Sequence, residues 1–166
     1  MIAGIAVAVL FAAAQDLEGF AKSHLPAGTE LAHPVVAGTF GPAGRHIVLL
    51  YRPESDDSAE FQGIVFLNGE RPQPLPALGL VPNQFAVEVK AVFFDGAQLF
   101  VLYGYHRNGS QADDSHACTV YRWRDTEFLR VPDVERKIVG LSTAAAVRQR
   151  LRLAVPTLKR PGEKKK

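Results

Sequence analysis

Short apolar runs cut at close intervals by turn residues dominate the chain from residue 33 to residue 132. Gly41-Pro42-Ala43-Gly44, Asn68-Gly69, Asp95-Gly96 and Asp125-Thr126 each stand between two such runs. Segments this short, rich in β-branched and aromatic residues and bounded by Gly, Asn and Asp, read as β-strands joined by tight turns. Eight strands are predicted, near 33–39, 45–52, 61–67, 71–75, 85–93, 97–105, 117–123 and 127–131. The fold class is therefore mainly β, with two four-stranded antiparallel meanders.

The two halves of this region resemble each other. Ile47-Val48-Leu49-Leu50-Tyr51 precedes an acidic loop with Asp56-Asp57-Ser58, then Ile64-Val65-Phe66-Leu67. Leu99-Phe100-Val101-Leu102-Tyr103 precedes a polar loop with Asp113-Asp114-Ser115, then Thr119-Val120-Tyr121. Tyr51 and Tyr103 are 52 residues apart, and Val65 and Val120 are 55 apart. Four strands repeating at this period is the arithmetic of propeller blades. Two independent β-meanders falling at a similar offset is the alternative. The predicted units are 31–76 and 84–132, within a single β-rich domain over 31–155. Prolines at 72, 74, 76 and 82 mark Arg71–Asn83 as an edge strand plus connector, because proline donates nothing to a ladder.

Helices are expected at both ends. Leu17, Phe20, Ala21 and Leu25 recur at helical spacing in the arm 15–30, which Pro26 and Gly28 terminate. Ser142 is a candidate N-cap for a helix over 142–154. Its competitor is a strand, since Arg150–Val155 alternates.

Met1–Ala14 carries no charge and ends in Ala12-Ala13-Ala14 before Gln15-Asp16. It is shorter than the ~20 residues of a membrane-spanning helix and has the small-residue pattern of a signal-peptidase site. A signal peptide over 1–14 and a secreted or periplasmic protein are expected; a buried N-terminal strand or helix is the other reading. Net charge is +2, unevenly placed. Residues 1–129 hold 8 Lys/Arg against 14 Asp/Glu, while 130–166 hold 11 against 3. The segment 156–166 reads as a disordered basic tail, solubilising or making a weak contact with an anionic surface. The acidic body argues against specific nucleic-acid binding. One cysteine, Cys118, allows no intramolecular disulfide and no paired-cysteine zinc site; a buried free thiol is expected.

Gly38-Thr39-Phe40-Gly41-Pro42-Ala43-Gly44-Arg45-His46-Ile47 resembles the loop of FG-GAP/VCBS-type repeats, which form blades of secreted and cell-surface β-propellers. Gly38, Phe40, Gly44, Arg45 and Ile47 fit that pattern, whereas Thr39, Gly41, Ala43 and His46 stand where the family has calcium-binding acids. The resemblance implies a blade-like, metal-free relative. Two units do not close a ring of four to eight blades, so the sheets are expected to pack on each other, lie under the terminal helices, or assemble between chains.

Searches for hydrolase elbows, phosphate loops, zinc helices and dinucleotide fingerprints find nothing, so no catalytic residue and no cofactor is assigned. The one concentration of reactive types is 105–116. His106, Asp113, Asp114 and His116 are the metal-ligand or acid/base candidates there, at a spacing that fits no metal motif. A polar hairpin loop is the leading reading of that segment, and Asn108-Gly109-Ser110 is a glycosylation sequon. Arg122-Trp123-Arg124 is a candidate stacking surface for a base or sugar; the competing reading puts Trp123 in the core with both arginines in solvent. The expected function is an exported, non-enzymatic binding or interaction module for a protein or glycan. The alternatives are a small exported hydrolase using 105–116 and an inhibitor or accessory subunit of an envelope enzyme.

Overall fold

The structure is a computed structural model that describes residues 16–54, 61–79, 84–107 and 115–154. The signal-peptide and tail segments, Asp113, Asp114 and the sequon lie outside the described residues. Helix α1 spans 16–24. Strands β1 (Thr29–Leu31), β2 (Val36–Gly38), β3 (His46–Pro53), β4 (Gln62–Leu67) and β5 (Arg71–Pro74) form one antiparallel sheet. Strands β6 (Gln84–Asp95), β7 (Gln98–Arg107), β8 (Ser115–Arg124) and β9 (Glu127–Arg130) form the second, a meander in sequence order. Helix α2 (Pro132–Glu135), a 3-10 turn (Arg136–Ile138) and helix α3 (Ala144–Leu151) follow.

The mainly β architecture with helices at both ends is as the sequence predicts. Two details differ. The strand expected near 33–39 is reduced to β2, and a strand not expected, β1, forms at the end of the arm 15–30: β1 pairs with Tyr51–Pro53 and β2 with His46–Val48, both on the same side of β3. Pro34 has no N–H for the ladder, and the chain leaves the sheet around it. The sheet therefore has five strands in four ladder positions. The C-terminal helix begins one residue later than expected: Thr143, not Ser142, is the N-cap, its Oγ1 accepting from Ala146 N at 3.1 Å. It ends at Leu151, where Arg152 turns left-handed with φ 57°.

The packing explains why the central runs are apolar at nearly every position. Val48, Leu50, Val65 and Leu67 face the second sheet, where Leu99, Val101, Tyr103 and Tyr121 meet them. On the other side of the first sheet, Leu49 and Phe66 pack under Ala21 and Phe20 of α1. On the far side of the second sheet, Phe100, Leu102, Cys118 and Val120 pack under Ile138 and Val147. The order of layers is helix, sheet, sheet, helix. A central strand buried on both faces has no solvent side and so no polar alternation.

The 52- and 55-residue offsets have a geometric meaning. Val48 pairs with Val65, and their offset partners Phe100 and Val120 also pair. Yet Val48 and Val65 face the other sheet, whereas Phe100 and Val120 face the helices. Equivalent residues thus point the same way through the stack, and the units pack front to back. A twofold relationship would set front against front. Equivalent strands also lie side by side. β5 runs beside β9. At β2, the ring of Phe94 on β6 occupies the space a side chain at Gly38 would need, 2.2 Å from its Cβ position. Phe94 stacks on Phe40 with centroids 4.7 Å apart.

Candidate functional site

The predicted binding triplet does not converge on one surface. Trp123 is half-buried, edge-on to Phe128 at 4.9 Å, and packs against the inter-sheet core. Arg122 and Arg124 are exposed and, by strand alternation, lie on the opposite face of β8. Of the predicted ligand set, His106 ends β7 and His116 begins β8 opposite Gly104. Alternation puts both on the helix-side face, and His106 Nδ1 is buried without a hydrogen-bond partner among the described residues. Among the described residues no three His, Cys, Asp or Glu side chains come together as a metal site.

The loop over Gly38–Ile47 is closed by its own residues. His46 is fully buried; its Nε2 donates to Pro42 O at 2.8 Å and its Nδ1 accepts from Asn68 N at 3.1 Å. Phe40 lies edge-on to that ring. The imidazole therefore fills the loop and ties Pro42 to Asn68.

A cleft of about 440 Å³ opens at the end of the second sheet, between the connector after β5 and the α2 region. Its walls include Leu78, Tyr103, Tyr105, Ala117, Arg130 and Val139. Each wall has a local cause. Tyr103 and Tyr105 are two apart on β7, so both rings leave the same face. The connector is pinned across the sheet: Tyr121 Oη donates to Pro76 O at 2.9 Å and Thr119 Oγ1 to Leu78 O at 3.0 Å. Thr119 Oγ1 also lies 3.4 Å from Tyr103 Oη. Gly79 has φ 77°, and a Cβ there would meet Arg130 Nη1 at 1.5 Å, so the guanidinium lies directly over the glycine backbone.

An ion pair forms one wall. Arg130 Nε donates to Glu135 Oε1 at 3.2 Å, and Arg130 Nη2 donates to Oε2. Hydrogen bonding to Glu135 raises the Arg130 pKa above its ordinary value, against the opposing effect of partial burial. Burial raises the Tyr103 hydroxyl pKa, offset in part by Thr119 and Arg130. Burial, and then the charge of Glu135, pushes the Cys118 thiol up to about 12. The thiol is therefore protonated at neutral pH and is no nucleophile.

No protein-family model, curated protein or solved structure matches this chain.

The site is thus described by its own chemistry. The cleft is mainly apolar, with hydroxyls and one guanidinium at defined places, which is the composition of a small-molecule site. Val139, 67% exposed, stands at its rim. Sequence reasoning missed this cleft. Its one legible signal was Tyr103-x-Tyr105 on a strand; Arg130 and Glu135 belong to different elements and meet only after β9 ends.

Proposed function

We propose that this chain is an exported, non-enzymatic binding module built on two blade-like units, a metal-free relative of FG-GAP/VCBS-type repeats. The single observation that carries the binding reading is the cleft beside Tyr103, Tyr105 and Arg130, about 440 Å³ in volume. Glu135 is committed to Arg130 and to the Val120 N–H, and burial holds Cys118 as a thiol. Such a site orients a ligand without an activated nucleophile. The front-to-back stacking of equivalent strands supports the blade reading. Export rests on the uncharged Met1–Ala14 run and its alanine-rich end.

The test is backbone amide NMR of the protein against a panel of metabolite-sized fragments and short glycans. Saturable shifts at Tyr103, Tyr105, Ala117 and Thr119, with every compound recovered unchanged, are expected. Chemical conversion of a compound, or shifts confined to other surfaces, would overturn the reading.

A further inference from the structure

We propose that the helix layer over the second sheet, from Arg136 to Arg152, docks on an anionic lipid bilayer, with Val139 seated at the headgroup boundary. The inference goes beyond the binding-module reading and does not depend on it.

The sequence sets the charge. No Asp or Glu occurs between Glu135 and Glu163, a stretch that holds seven Lys/Arg. The fold puts the described part of this stretch on one side of the molecule. Ile138 and Val147 are buried against Phe100, Leu102 and Val120, so the 3-10 turn and α3 form the outermost layer there. Arg136, Lys137, Arg150 and Arg152 are exposed on it. Arg150 Nη1 donates to Lys137 O at 3.4 Å, which sets the end of α3 beside the turn. Helix α1, on the opposite side of the stack, carries Asp16 and Glu18 against Lys22. The two outer layers thus differ in sign, and the field turns the α3 layer toward a negative surface.

This positive charge is not neutralised within the fold. The two acids of the layer are taken: Glu135 pairs with Arg130, and Asp133 with Arg136. Lys137, Arg150 and Arg152 meet no carboxylate among the described residues. Val139 favours a bilayer over a soluble polyanion. It is 67% exposed, the most exposed large hydrophobic among the described residues, and stands two residues from Lys137. A bilayer receives an aliphatic side chain below the headgroups while the flanking cations stay among them; a soluble polyanion gains nothing from it. Residues 132–154 contain no aromatic ring on which a base could stack.

The experiment is co-sedimentation with phosphatidylcholine vesicles, with and without about 30 mol % phosphatidylglycerol, at low and physiological salt. Binding is expected only with phosphatidylglycerol, and it is expected to fall as salt rises. K137E/R150E is expected to weaken it at least about tenfold and V139S about threefold. Both are expected to leave the melting temperature unchanged, because the three side chains are exposed. Replacing the tail cations Lys159, Arg160, Lys164, Lys165 and Lys166 by Gln separates the tail from the helix layer. That variant is expected to keep phosphatidylglycerol-dependent binding, which adding K137E/R150E abolishes. Where K137E/R150E fails to fold, K137Q and V139S decide. No binding to the anionic vesicles, binding that K137E/R150E leaves unchanged, or binding that the tail replacement removes entirely would overturn the inference. Loss on K137E/R150E with none on V139S, together with equal binding to heparin, would identify a soluble polyanion and overturn the bilayer.

Discussion

The carboxylate of Glu135 accepts the backbone N–H of Val120 at 3.0 Å. This bond completes the sheet edge where the chain stops being a strand. β9 ends at Arg130, and Val131 N makes the last contact, donating to Val120 O at 2.8 Å. The chain then turns into α2, and the side chain of Glu135 comes back to take the N–H of the same residue. The same carboxylate holds Arg130, so a sheet edge, a helix and the cleft wall share one side chain.

E135A is expected to destabilise the protein by about 2 kcal/mol, because it orphans a backbone donor and releases a partly buried guanidinium. E135Q retains an acceptor for Val120 and is expected to cost about half as much. Urea unfolding of the three proteins measures both, and E135A as stable as the parent would refute the capping role.

Cys118 is expected to be inert to an aromatic disulfide reagent at pH 8 in the folded protein and to react fully in urea. C118A is expected to cost about 1–2 kcal/mol through lost packing under Ile138 and Val147. The pH dependence has a definite sign. The thiol pKa rises from 9.0 to about 12 on folding. Between those values the folded chain holds a proton that the unfolded chain has lost. The contribution is complete below about pH 9 and falls as pH climbs toward 12. Tyr103, also raised, adds a slope of the same sign above its ordinary value of 10.0. Alkaline unfolding of C118A is expected to be shallower than that of the parent.

Much of this fold was legible from particular residues. Ile47–Leu50 and Leu99–Leu102 lack alternation because both faces of each strand are covered, and their shared offset reported equivalent places in two meanders. Asn68-Gly69 marked a turn whose two central residues adopt φ 54° and 77°. Strand β1 was not legible, because Thr29–Leu31 lies at the end of the arm and shares its partner β3 with β2 only in three dimensions. Ser142 and Thr143 are adjacent and chemically equivalent as caps, so local signals do not separate them. The cleft was least legible of all. Its walls span Leu78 to Val139, and the pairing of Arg130 with Glu135 follows from where β9 ends.

Export is expected to leave a mature chain beginning at Gln15, with cleavage after Ala14. Intact-mass measurement of protein collected from an exporting host checks this. A soluble cytosolic product retaining Met1 would contradict it.

The turn before β3 provides a test with an internal control. Gly44 has φ 114°, and a Cβ there would lie 1.8 Å from Asn68 Oδ1. G44A therefore carries two separable costs, a backbone conformation L-residues avoid and a clash with one side chain; together about 2–3 kcal/mol is expected. Asn68 itself has φ 54°, so N68G keeps its turn while removing the clashing amide. The double variant is expected to recover about half of the G44A loss, since the clash is relieved and the backbone cost remains; neighbours that share a contact do not add. The bond from Asn68 N to His46 Nδ1 uses the backbone and survives N68G. H46A removes that acceptor and the donor to Pro42 O together and leaves a cavity beside Phe40. A loss of about 3 kcal/mol, unaffected by N68G, is expected. Thermal unfolding of the set separates the terms, and a G44A loss that N68G does not relieve would show that the amide is not what fills the space.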